Sequence, residues 1–149
     1  MPSPYQDLLT ALAREVGLDP AAVVATEAVV INELTVCLHL VGEGENAEVL
    51  LCSLLAAPSA VRWREVAQAM LLANHLWTGT GGATLGMLPE DNMVTLSVRQ
   101  PLRDLDAVKL AVLLATTVDI GLAWQDFIAA PQSTAGSNES FSTMDALRA

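Results

Sequence analysis

Two segments, residues 35–41 and 48–55, alternate in a way that leaves little choice of fold. In the first, Val36, Leu38 and Leu40 share one face of an extended strand, with Thr35, Cys37 and His39 on the other. In the second, Val49, Leu51 and Ser53 oppose Leu50, Cys52 and Leu54. A period of two is the signature of a strand, and a helix would scatter these residues around its circumference. Both faces of the resulting sheet are largely apolar. Helices from the same chain can cover one face, which leaves the other for something the chain does not encode.

The flanking segments supply those helices. Tyr5 to Val16 repeats Leu8, Leu9, Leu12 and Val16 at helical spacing, with Pro4 suited to the first turn and Gly17 to the C-terminal cap. A strand is expected over Ala28 to Ile31, ahead of those at Thr35 to Val41 and Glu48 to Leu55. A second helix is expected from Ala60 to Trp77, started by Pro58-Ser59 and ended by Thr78-Gly79-Thr80-Gly81-Gly82. Ala83 to Leu88 and Met93 to Val98 flank the turn-forming Pro89-Glu90-Asp91-Asn92 and read as a hairpin. Asp104 is placed to cap a last helix reaching Ala129, in which Lys109, Thr116, Asp119 and Asp126 share one face. The order is α-β-β-β-α-β-β-α, an α+β fold in which three helices pack on a twisted antiparallel sheet of about five strands. The folded domain spans residues 1–130. Residues 131–149, rich in Gln, Ser, Thr, Gly and Asn, form a polar tail that cannot bury enough apolar surface to offset its ordering entropy, although Phe141, Met144 and Leu147 recur within it at helical spacing.

Composition narrows the function. Only 16% of residues are charged while 52% are hydrophobic, more apolar surface than one core of 149 residues can hide, so some is expected at interfaces. Seven Lys and Arg against 17 Asp and Glu give a formal charge of −10, which repels nucleic acid and anionic membrane surfaces. No basic residue precedes an apolar run near Met1, so neither a signal nor a transit peptide is expected, and the compartment expected is the cytoplasm, where Cys37 and Cys52 stay reduced. The apolar stretch from Leu105 to Ala130 is interrupted by Lys109, Asp119 and Asp126, which argues against a membrane span.

A further run carries a family resemblance: Leu71-Leu72-Ala73-Asn74, then Gly79-Thr80-Gly81-Gly82-Ala83-Thr84-Leu85-Gly86, then Val94-Thr95-Leu96 and Arg99-Gln100-Pro101-Leu102. In this run, and in size, acidity and element order from Tyr5 to Ala129, the chain resembles the Tir-chaperone family of class I type III secretion chaperones. The resemblance implies a cytoplasmic bacterial homodimer that binds an extended segment near the N-terminus of a secreted effector, keeps it soluble and export-competent without hydrolysing ATP, and brings it to the secretion ATPase. It implies no enzymatic activity and no cofactor. The expected effector-binding residues are Leu8, Leu12, Val29, Ile31, Val36, Leu38, Leu40, Leu50 and Leu54. Those expected at the dimer interface are Met70, Leu72, Leu76, Trp77, Leu85 and Met87. The same fold could serve a regulatory adaptor that binds a secretion-linked transcriptional regulator, and a small ligand-binding domain is the remaining alternative.

Other features are read structurally. Cys37 and His39 share a strand face, yet with only Cys52 and His75 as further candidates they make no metal or nucleophile site, and packing is the reading taken. The Gly79–Ala83 run lacks the Lys of a phosphate cradle and leaves a helix rather than entering one, so it is a helix-ending turn. Asn74 and His75 are read as a C-terminal cap or turn contact, and Trp63, Trp77 and Trp124 as core, with Trp77 near the dimer seam. Glu43, Glu45 and Glu48 surround a solvated loop that could also steer a basic segment.

Overall fold

The computed structural model describes residues 1–131, so the expected tail beyond Pro131 lies outside the described residues. Helix α1 (Pro4–Glu15) starts with a capping box: the Ser3 hydroxyl accepts from the Gln6 amide at 3.2 Å, and the Ser3 amide donates back to Gln6 Oε1 at 3.0 Å. A short helix the sequence reading did not anticipate follows, α2 (Pro20–Thr26), so the described residues hold four α-helices where three were expected. Asp19 caps it by accepting from the Ala21 amide at 3.1 Å, and Pro20 opens its first turn. Seven residues with only Val23 buried are too few to print an apolar stripe, which is why periodicity passes over it.

Strands β1 (Ala28–Ile31) and β2 (Leu34–Val41) are joined by Asn32-Glu33, both left-handed at φ 49 and 68, the geometry of a two-residue hairpin turn. Strand β3 (Glu48–Leu54) leads to α3 (Trp63–Asn74), shorter at both ends than the helix expected over Ala60 to Trp77. It stops because Leu76 and Trp77 adopt left-handed φ of 53 and 54. The hairpin is β4 (Thr84–Met87) with β5 (Val94–Pro101), and α4 (Ala107–Ala129) closes the domain. Its cap is Asp106, whose Oδ1 accepts from the Lys109 amide at 2.8 Å, and not Asp104, which belongs to a preceding 3-10 turn.

The sheet is antiparallel throughout, in the order β1-β2-β3-β5-β4. Val29, Val36, Leu38, Val49, Leu51, Val94, Leu96 and Val98 point to its inner face and are buried there under α1 and α4. Helix α1 contributes Leu8, Leu9, Leu12 and Ala13, and the Tyr5 hydroxyl donates to the Leu38 carbonyl at 2.9 Å. Helix α4 contributes Leu110, Leu114, Thr117, Val118 and Ile128. By length and composition α4 could cross a membrane, but this buried stripe is the layer that closes the core. Gly121 sets how close the helix comes: a β-carbon there would stand 2.7 Å from a Leu34 methyl and 3.3 Å from one of Leu55. Gly121→Ala gains about 1 kcal/mol of helix propensity but loses more to overpacking, so a net destabilisation of about 1 kcal/mol is expected in denaturant titration.

One buried cation locks α3 to α4. Arg62, at the N-terminus of α3 and 4% exposed, donates to the carbonyls of Phe127, Ile128 and Ala130, satisfying groups that the end of α4 leaves orphaned. Its other edge makes two 3.1 Å bonds to Glu65, and its plane lies 4.9 Å from the Phe127 ring centre. The bonds from Arg62 hold the Glu65 carboxyl below its ordinary pKa. That contribution to stability is complete above the unfolded carboxylate pKa of about 4.3 and is lost as pH falls through the lower folded value. Arg62→Met is expected to cost about 3 kcal/mol, seen as a lowered melting temperature at pH 7. Glu65→Gln is expected to flatten the acid limb of the stability profile.

Candidate functional site

The outer face of the sheet is left open. Register aligns Ala28, Cys37, Cys52, Ser97 and Thr84 in one row across all five strands, with His39, Leu50 and Arg99 in a second and Leu54 beside Thr95 in a third. Every one of these residues is half-buried or exposed, and Trp77, from the 3-10 turn after α3, borders the β4–β5 end of the face beside Thr84, Ser97 and Arg99. The centre is apolar, with Val30 62% and Leu54 54% exposed near Leu50 and the two thiols. Desolvation, and then the facing Cys37, push the Cys52 thiol above its ordinary pKa, so the Cys52 sulfur is a neutral, weakly polar group. Arg99 and Glu48, 3.8 Å apart, provide a charged rim.

Five residues expected to contact an effector are instead inside the protomer. Leu8, Leu12, Val29, Val36 and Leu38 are each no more than 8% exposed, because Val29, Val36 and Leu38 lie on the sheet face that α1 and α4 cover and Leu8 and Leu12 are on the buried side of α1. Ile31 is half-buried against the same core. Leu40 has the same strand parity but sits at the end of the sheet, where it is 42% exposed. Only Leu50 and Leu54 of the expected set lie on the open face. Val30 and the thiol pair, which belong to that face, were missed there. Val30 alternates out of register with its buried neighbour Val29, a signal present in the sequence.

A second apolar surface lies beside the β4 edge. Trp63, Ala67, Met70 and Leu71 of α3 and Leu85 and Met87 of the hairpin line an open groove of about 280 Å³. Of the expected interface residues, Met70 and Leu85 are buried in the protomer, Met87 is half-buried, and Leu72, Leu76 and Trp77 are exposed. Leu71, 74% exposed, was not anticipated. Trp63 and Trp77 are exposed rather than core, since α3 turns Val66, Met70 and Ala73 inward instead. Trp124 does pack on the core, edge-on to Phe127, and its Nε1 donates to the Gly79 carbonyl at 3.2 Å, pinning the Gly-rich turn.

The last turn of α3 contributes the other polar feature of this region. Asn74 is not a helix cap: its Oδ1 accepts from the Leu85 amide and its Nδ2 donates to the Leu85 carbonyl, both at 2.9 Å. Glu43 and Glu45 are exposed around a 3-10 turn, with Arg103 donating to the Glu45 carbonyl at 3.2 Å. Cys37 and His39 gather no third ligand, and among the described residues no group of three His, Cys, Asp or Glu could hold a metal ion. What the geometry offers is contact surface: an open sheet face, an apolar groove and the β1 edge of the sheet.

Comparison with known proteins places this architecture. A chain of the HopA1–SchA chaperone–effector complex superposes with a TM-score of 0.63 at 17% identity, covering 83% of this chain and 94% of that one. The Yersinia pestis type III secretion chaperone SycH in complex with a stable fragment of YscM2 gives 0.58 at 22% identity, over 80% and 98%. The ExoT–SpcS complex from Pseudomonas aeruginosa gives 0.58 at 18% identity, over 83% and 98%. At these identities the likeness establishes the fold. No curated protein sequence matches the chain. The model of the Tir chaperone protein (CesT) family matches residues 7–125, and the chain belongs to that family.

Proposed function

We propose that this chain is a type III secretion chaperone that holds an extended segment, near the N-terminus of a secreted effector, against the open face of its sheet, keeps that effector export-competent and presents it to the secretion ATPase. The observation that carries this is the uncovered, apolar-centred outer face in a chain of the Tir chaperone family. A strand-like segment laid there would place alternate side chains on Val30, Leu50 and Leu54, with Leu40 and Ile31 reachable at the ends of their strands, while a free sheet edge supplies main-chain hydrogen bonds. Binding of this kind needs no nucleotide, metal or reaction, so no enzymatic step is assigned. The structures named above were solved as complexes with an effector or a partner fragment, which supports the same reading. The compartment that fits is the bacterial cytoplasm, where effectors await export.

The chaperone acts as a homodimer through the α3 groove. Trp63 and Leu71 of the groove, and Leu72, Leu76 and Trp77 that follow in the chain, are all exposed, and a cluster of large apolar side chains in water points to an interface. Leu71 is exposed in the protomer, so Leu71→Asp should leave the fold intact and bury an unpaired charge only on dimerisation. Sedimentation equilibrium is expected to show a wild-type dimer and a folded Leu71→Asp monomer at micromolar concentration. A wild-type monomer, or a variant that dimerises unchanged, would overturn the interface.

The client surface is tested with the effector that co-purifies from the native bacterium. Leu54→Glu and Leu50→Glu are each expected to weaken retention of its N-terminal segment at least about tenfold, with circular dichroism unchanged, because a carboxylate would be desolvated against apolar side chains. Glu45→Gln should alter mainly the association rate. Leu38→Glu would unfold the domain rather than test the surface, since Leu38 is completely buried. Wild-type affinity in folded Leu50 and Leu54 variants would sink the proposed surface.

A further inference from the structure

The two edges of the sheet are chemically unlike. Along β1 the ladder to β2 continues the bond from the Leu38 amide to the Glu27 carbonyl, so Val29 and Ile31 turn their main-chain groups inward and Ala28 and Val30 turn theirs away from the sheet. The Ala28 carbonyl has a long 3.4 Å contact from the Thr26 hydroxyl, while the main chain of Val30 has no partner beyond the sheet among the described residues. Along β4 the bond from the Leu88 amide to the Met93 carbonyl fixes the opposite phase, so that Ala83, Leu85 and Met87 face outward. Here the outward groups are largely taken. The Ala83 amide donates to the Thr80 carbonyl at 3.0 Å, and Asn74 occupies both the amide and the carbonyl of Leu85.

A carboxamide carries one acceptor and a donor held in the plane of a peptide unit, which is why a single Asn can satisfy both groups of one strand residue as a neighbouring strand would. The left-handed break at Leu76 and Trp77, directly after the helix, ends α3 with Asn74 beside the strand. We infer that Asn74 is a built-in strand mimic that closes the β4 edge and confines main-chain pairing with an extended segment to the β1 edge. It is a positioning residue: it decides where an added strand can go without touching the strand itself. Unblocked, β4 would be an open edge next to the apolar α3 groove, where a client or a second copy could pair out of place. The inference takes its occupant from the extended-segment reading above, but its test uses neither an effector nor the dimer.

The probe is a synthetic, end-blocked peptide of alternating Val and Thr with a nitroxide at its centre, added to isotope-labelled full-length protein carrying Leu71→Asp, so that no second copy covers the groove beside β4, with Asn74 intact (the wild type below) or replaced. In the wild type, paramagnetic broadening is expected at the amides of Ala28 and Val30 and not at Leu85 or Met87. In Asn74→Ala it is expected at both edges. Without peptide, the Leu85 amide should exchange with solvent at least about tenfold faster in Asn74→Ala than in the wild type, while amides of β3 keep their protection. Asn74→Leu, which keeps the side-chain volume and loses both the acceptor and the donor, guards against a variant that fails to fold, and it should open the edge in the same way. Broadening at Leu85 or Met87 in the wild type would overturn the inference, as would a folded Asn74 variant with Leu85 exchange and peptide placement unchanged. If the peptide behaves as expected while no effector co-purifies, the chaperone reading fails and the edge assignment stands.

Discussion

Everything in this domain depends on a sheet whose two faces are both apolar at the centre and only one of which is covered from within the chain. Burial of Val29, Val36, Leu38, Val49, Leu51 and Leu96 under α1 and α4 forms the core, at roughly 1.5–3 kcal/mol per large side chain removed from water. On the outer face of the same strands, Cys37, Cys52 and Leu50 supply apolar groups in two adjacent rows that stay only half-buried. A chain with 16% charged residues has little polar surface with which to mask that face. Its exposure contributes nothing to folding and fits the client surface proposed above.

Two polar side chains make the arrangement specific. Hydrophobic burial has no direction, and α3 and α4 could slide against the sheet without losing much apolar contact. Arg62 removes that freedom by tying the start of α3 to the final carbonyls of α4, and Asn74 ties the end of the same helix to Leu85. Helix α3 is thus held at both ends by hydrogen bonds that must be made together, and the groove of Trp63, Leu71 and Met87 lies between the two anchors. The Gly-rich turn that follows is held in place by the bond from Trp124 to the Gly79 carbonyl.

Local signals in the sequence were good guides to the elements. The alternation over residues 35–41 and 48–55 marked central strands, Asn32-Glu33 and Pro89 to Asn92 marked turns, and the Leu8, Leu9 and Leu12 spacing marked a helix, as found. The signals that failed were weak for a physical reason. Helix α2 is too short for a period, and Asp104 and Asp106 are equally good caps until the 3-10 turn at Leu102 decides between them. Tryptophan at helical spacing says nothing of which stripe packs inward, and Trp63 proved to be on the outer one.

The site was less legible than the fold. Alternation sorts Val36 and Leu38 from Cys37 and His39, but when both sets are apolar it cannot say which of them the helices will cover; Leu12 and Leu38 were taken for surface on that account. That choice is made by packing, where the shape of Gly121 against Leu34 and Leu55 lets α4 seat on one face of the sheet. The carbonyl partners of Arg62 lie 65 to 68 residues away and the partner of Asn74 lies 11 away, across a turn, so neither contact has a local signature. The sequence by itself determined which segments are strands and helices, that the chain is acidic and that it holds more apolar surface than one core can hide, because these follow from short-range periodicity and composition. Which face stays open, which edge stays unpaired and where the groove forms were decided only by the tertiary structure, because each depends on contacts between segments whose separation along the chain carries no information about their distance in space.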